Sequence, residues 1–357
     1  MTTLSRVAAF TRKGIFIGGG IFGGLLVIAL LIMIGTAIKN KFFPTPPAPP
    51  TVAYGQLPPI PFPSSAPTQN VSFYIDTISG FLPSFTDRQV VYKINQPQTN
   101  LLSYQKAKDL ASALGFTDTP TQKSDTVFSF ASTNPFPATF TVAIDSFNFT
   151  LDSTYLTTVN TASLAAIPVG QAPTVAQTFF DTANALGDSV DLTKTQTTNR
   201  MYDPTGTLIP ADKPDDTQVA IVDFVHPDMN NLPAVYAHPP RTNLTAVVVS
   251  VNGKPTVIQA NKFTYDLVSD ATATYPLKSA QQAFDELQKG KAYIAQYDGK
   301  STSVPIKNVK LAYYFPDTSY GYVVPVVVFS SDTFVAYVNA VADNWVSSSS
   351  ASLSSPQ

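Results

Sequence analysis

Only two histidines stand among the 357 residues, and each precedes a proline: His226 in FVHPDM and His238 in AHPP. A residue before proline is pushed into extended or turn backbone. With Asp228 the pair could offer three ligands to a metal, but no helical or hairpin spacing brings them together. Strand-end or loop histidines are the plainer reading. Asp203, Asp212, Asp215 and Asp216, in DPTGTLIPADKPDD, hold enough oxygens for calcium. They lack the D-x-D-x-D-G spacing of a calcium loop, so a solvated proline-rich turn is expected. There is no cysteine, which removes disulfides, thiolate metal sites and cysteine nucleophiles. No G-x-S-x-G turn, phosphate-binding loop or dinucleotide fingerprint is present. The reading is therefore of no catalytic residue, no cofactor, no metal and no enzyme. Asn70, Asn148 and Asn243 open N-x-[ST] triplets, which matter only in a glycosylating host.

The elements that would position any chemistry begin with an uncharged run at 14–38, bracketed by Arg12-Lys13 and Lys39-Lys41. Twenty-five helical residues would extend about 37 Å, enough for a bilayer core of about 30 Å. The expectation is a single-pass transmembrane helix with a cytoplasmic tail at 1–13 and an extracytoplasmic, cell-surface C-terminal domain; a cleaved signal is the alternative. Gly14, Gly18, Gly19, Gly20, Gly23 and Gly24 give three G-x-x-x-G spacings, a face for packing against another membrane helix. Of the chain's 22 basic and 24 acidic residues, five basic and no acidic ones lie in the first 41 positions, so the remainder is seven charges negative. That argues against a nucleic-acid partner.

Residues 39–70 are expected to form a proline-rich stalk, since 44–67 hold ten prolines and no charge and favour extended backbone. A docking ligand for a proline-recognising groove is the runner-up, and 57–63 interleave apolar residues that could lie on the domain surface. Folded material is read in two regions, 71–163 and 164–345, with a disordered tail at 346–357. Helices are expected at 103–114, 174–186 and 279–288, each with an apolar stripe and a closing glycine. Strand runs follow each of them, which gives an α+β class: repeated units of one helix plus antiparallel strands.

The third unit is the most specific: YPLKSAQQAFDELQKGKAYIAQY (275–297), VPIKNVKLAYYFPD (304–317) and YVVPVVVFSSDTFVAYVNAVAD (322–343). It resembles the PepSY-like domains of YycH/YycI-type proteins, and the chain is also similar to membrane-anchored hypothetical proteins of candidate-phyla bacteria. The resemblance covers 275–343 and rests on Ala283, Phe284, Leu287, Gly290, Leu311, Tyr313, Pro325 and Phe329 as core and turn positions. It implies a bacterial envelope regulator with no catalytic residue to transfer. The stalk and the unit at 71–163 depart from that pattern.

The functional expectation is a membrane-anchored, non-enzymatic module binding an envelope protein, such as a sensor or a protein complex, by a loop or strand edge. Tyr314, Phe315, Tyr320 and Tyr322 flank a hairpin tip, PDTSYGY, expected to be the exposed binding loop. The alternatives are a self-associating coat or filament component, hence a homo-oligomer, and an unfamiliar hydrolase.

Overall fold

The nine residues of the run Tyr322–Ser330 include five valines, and seven of the nine are buried. A strand apolar on both faces needs a layer on each. The computed structural model supplies both layers; it describes residues 30–33, 49–64, 71–96, 98–161, 164–187, 189–318 and 320–347.

In chain order the strands are β1 (Ser72–Ile75), β2 (Arg88–Ile94), β3 (Thr121–Gln122), β4 (Val127–Ser132), β5 (Ala138–Ala143), β6 (Phe149–Ser153), β7 (Asp191–Tyr202), β8 (Leu208–Pro210) and β9 (Val219–Val225). They continue as β10 (Ala234–Tyr236), β11 (Leu244–Val251), β12 (Lys254–Lys262), β13 (Leu267–Pro276), β14 (Tyr293–Tyr297), β15 (Ser303–Ile306), β16 (Asn308–Phe315), β17 (Tyr322–Ser330) and β18 (Phe334–Asn339). The helices are α1 (Ser103–Ala113), α2 (Tyr155–Thr158), α3 (Gln171–Thr182) and α4 (Ala280–Gln288).

Nine strands form one sheet in the order β3-β4-β5-β6-β12-β11-β9-β7-β8. Helix α3 packs across β12, β11 and β9, and α1 packs on β5. Their small residues Ala107, Ala111, Ala172 and Ala176 allow close approach, and Phe140, Phe149, Phe180 and Phe224 fill the space between. The second sheet runs β10-β16-β17-β18-β14, with β2 pairing both β17 and β13. One face of β17 sends Val324, Val326 and Val328 against Tyr275, Tyr314 and Tyr337. The other sends Val327 and Phe329 against Phe284 and Leu287 of α4 and Phe73 of β1. Ser279 starts α4 with a capping box: its hydroxyl accepts from the Gln282 N–H while the Gln282 side chain accepts from the Ser279 N–H. Pro325 sits inside β17 where the neighbour changes, after β2 pairs Tyr322 and Val323 and before β18 pairs from Val326 onward. A residue with no N–H fits that gap in the ladder.

Of the proline-rich segment, residues 49–64 are described, and they lie along the tyrosine face of the second sheet. Leu57 is 1% exposed and bridges Val346. The Tyr275 hydroxyl accepts from the Tyr54 N–H and donates to the Gly55 carbonyl, at 3.1 and 2.9 Å. The Tyr320 hydroxyl donates to the Pro58 carbonyl, and Phe62 stacks on Tyr293 with ring centres 5.1 Å apart. A segment without regular secondary structure is thus held by tyrosine hydroxyls that satisfy its backbone.

The α+β expectation is corrected: among the described residues the fold is dominated by strands, and there is no helix-plus-sheet repeat. Strand β6 from the first region pairs β12 from the second, through Ala260 with Leu151 and Lys262 with Phe149. Strand β2 pairs β13, nearly 180 positions later by their paired residues Tyr92 and Thr272. Helices α1 and α3 therefore share one sheet, and everything from Pro50 onward forms one unit.

The single-pass membrane reading is also corrected. Among the described residues no helix is long and apolar enough to cross a membrane. Of 14–38 only residues 30–33 are described. The integral-membrane partner, the membrane and single-pass description, and the cytoplasmic-tail and cell-surface placement fall with it. Gly14, Gly18, Gly19, Gly20, Gly23 and Gly24 lie outside the described residues, as do the tail from 348 and the stalk residues 39–48 and 65–70.

Leu57→Ala should cost about 2–5 kcal/mol in urea unfolding, the range for truncating a fully buried leucine side chain. A change below about 0.5 kcal/mol, the size of an ordinary surface substitution, would show that the strap contributes nothing to the core.

Candidate functional site

Strand β12 alternates, and Ile258, Ala260 and Lys262 share its inward parity. The last of these puts an amine where the pattern calls for a hydrocarbon. Lys262 is 8% exposed. Its Nζ donates to the Phe147 carbonyl at 3.2 Å and to Asn148 Oδ1 at 3.3 Å, both in the turn joining β5 to β6. Phe147 holds that turn with φ of +51°, and Asn148 Oδ1 also accepts from the Thr264 N–H at 3.1 Å. Among the described residues no carboxylate pairs with the amine. Burial lowers its pKa from 10.5 to about 8, with the charge of Asp266 acting the other way.

Lys262 lines a cleft of about 470 Å³ where the rim of the first sheet meets the end of β2 and the segment after β16. Its walls carry Asp145, Asp266 and Asp317 among threonines and amides. One carboxylate oxygen of Asp317, Oδ1, is buried and has no hydrogen-bond partner among the described residues, while Oδ2 meets His238 Nε2 at 3.4 Å. The Tyr265 hydroxyl donates to the Thr318 carbonyl across the same wall. A polar cleft with an amine whose pKa is lowered to about 8 and three carboxylates can bind a small polar ligand and can handle protons.

A second feature is the outer edge of β7. This strand has twelve residues, and β9 pairs it on one side. On the other side β8 pairs only Arg200, Met201 and Tyr202. Next to it the Asn199 carbonyl accepts from the Ala211 N–H, and among the described residues the stretch before Asn199 has no strand on that edge. Lys194 stands there, paired with Asp228 at 2.7 Å, and a charge of this kind discourages indiscriminate strand pairing.

The structure places the sequence-derived candidates apart from both features, His238, Asp228 and Asn148 excepted. His226 is packed on Phe315, with ring centres 4.4 Å apart, and burial lowers its pKa. Asp228 holds Lys194. Asp203 caps its own turn, with Oδ1 accepting from the Thr205 hydroxyl and the Thr207 N–H, which keeps its pKa below the usual carboxylate range. Among the described residues no group of three or more metal-ligating side chains occurs. The binding loop expected around PDTSYGY is corrected as well. Tyr314 and Tyr320 are buried, Phe315 is buried, and Tyr322 is half-buried, so these rings belong to the core. Tyr314 packs against Phe62 and Tyr337, and Tyr322 against Tyr54.

On β9, buried Asp223 accepts from Arg241 Nη1 at 2.6 Å, the Thr242 N–H at 3.1 Å and the Thr245 hydroxyl at 2.6 Å. This arrangement is fully satisfied and fixes the entry into β11.

No protein-family model matches the chain, and no curated protein matches it. Among solved structures it is similar to an uncharacterized protein from Eubacterium rectale, at 14% identity and a TM-score of 0.40, covering 72% of this chain and 84% of that one.

Lys262 and the tyrosines predict an alkaline stability profile. Below pH 8 the folded state bears the burial cost of the ammonium. Between about 8 and 10.5 the unfolded chain binds more protons than the folded one, so stability rises with pH. Buried Tyr236 has its pKa pushed up to about 12, as does Tyr275, so above 10 the unfolded chain ionises first and stability falls. From pH 8 to 10 the wild-type protein should gain about 2 kcal/mol relative to Lys262→Met in urea unfolding. Parallel profiles would contradict the depressed amine.

Proposed function

We propose that the protein is a non-enzymatic module that binds another protein by adding an extended segment to the open edge of β7. The observation that carries this reading is the length of that edge: twelve residues with an outer backbone partner, among the described residues, for only Asn199–Tyr202. An added strand would gain main-chain hydrogen bonds, and the alternating side chains of β7 would set the register. Exposed Leu192 offers an apolar anchor there, and Thr197 a β-branched neighbour. The resemblance of 275–343 to PepSY-like units supports a binding role and brings no catalytic residue with it. The alternative, assembly of copies of this chain, would use the same edge.

A photocrosslinking amino acid at Thr197 tests the proposal in cells of the native host, with Lys310, exposed on β16, as the control position. The expected result is a crosslink from position 197 to a second polypeptide that is absent from position 310. A crosslink only to another copy of the chain assigns the edge to self-assembly. Equal or absent crosslinking at the two positions contradicts the proposal.

A further inference from the structure

A neutral primary amine has two N–H bonds and one lone pair. At Lys262 the structure provides two acceptors, the Phe147 carbonyl and Asn148 Oδ1. With both N–H bonds engaged, the lone pair is left for the remaining direction, and Lys262 is part of the cleft wall. We propose that Lys262 is a carbonyl-reactive amine and that the cleft takes a small aldehyde or unhindered ketone, held as an imine. This inference does not depend on strand addition at β7, which lies on a different edge of the sheet.

The step balances without a redox partner. The Nζ lone pair attacks the carbonyl carbon, the C=O π pair moves to oxygen, and a proton passes from nitrogen to that oxygen. The resulting carbinolamine loses hydroxide together with the remaining N–H proton, as one water, and the C=N bond forms. Amine plus aldehyde thus gives imine plus water. Protonation of the imine would place a cation in the cleft. The titratable groups that face this space are Asp145 in the turn after β5, Tyr265 and Asp266 after β12, and Asp317 after β16. The three carboxylates favour that cation, and the unpartnered Oδ1 of Asp317 is an acceptor still to be filled. Three features of the amine agree with this use: it is buried, it is paired with no carboxylate among the described residues, and it sits on a cleft wall. The depressed pKa adds free amine near neutral pH.

The test treats the full-length protein with propionaldehyde and sodium cyanoborohydride at pH 7.5, where cyanoborohydride reduces the imine to a stable amine. Modified lysines are then mapped by peptide mass spectrometry over time. Lys262 should be modified at least about ten-fold faster than exposed Lys254 and Lys310, since at pH 7.5 its free-amine fraction is more than about a hundred-fold larger, which outweighs its burial and lower basicity. Its rate should rise with pH to a plateau above 8, while theirs keep rising. Modification of Lys262 no faster than Lys254 and Lys310 would overturn the proposal. Since the wild-type chain is used, loss of folding in a variant cannot produce that result.

Discussion

The constraint on which the rest of the structure depends is the two-sided burial of β17. A strand whose alternate valines point into two different cores cannot form the surface of anything. It needs neighbours on both edges and a layer on both faces. The chain meets this with strands β16 and β18 from its immediate surroundings and with β2 from more than 200 residues earlier. Helix α4 covers one face, and the proline-rich strap, with a cluster of tyrosines, covers the other.

The tyrosines explain how a segment with so many prolines can be part of a core. Proline contributes no N–H, and extended backbone makes no hydrogen bonds of its own. The strap's free carbonyls and amides still need partners. Tyr275 and Tyr320 supply them with hydroxyls while their rings fill the apolar layer beneath. The same amphipathic use of tyrosine appears where Tyr313 donates to the Val90 carbonyl and Tyr293 to that of Ala237. A strap bound this way fixes the start of the folded unit against the second sheet. It leaves the first sheet, with the β7 edge and the Lys262 cleft on its rim, as the part available to partners and ligands.

Much of the local structure was legible in the sequence, because strands and helices announce themselves by local pattern. The runs at Val127–Ser132, Ala138–Ala143 and Leu244–Val251 are apolar or alternate as strands do, and α4 begins at the serine its sequence marks. Pairing was not legible. Nothing near Leu151 indicates that Ala260 will lie beside it, and that one ladder merges two regions that read as separate. The repeat reading failed for this reason: similar helices with similar stops served different positions on one sheet and on another. The aromatic cluster misled because half of a strand's side chains ordinarily face water, whereas Tyr313, Tyr314 and Phe315 end a strand covered on both sides. The Lys262 site carried one readable signal, a lysine at the inward parity of an otherwise apolar strand, but its acceptors lie more than 100 positions away.

Native-state hydrogen exchange followed by mass spectrometry tests most directly whether the strap and the doubly buried strand form one structure. The account predicts that Val52 and Leu57, whose amides are bonded to the Thr274 and Trp345 carbonyls, are protected. Their peptides should open together with those of β17 as denaturant is added. Strap amides exchanging at the rate of an unstructured chain, while β17 stays protected, would contradict it.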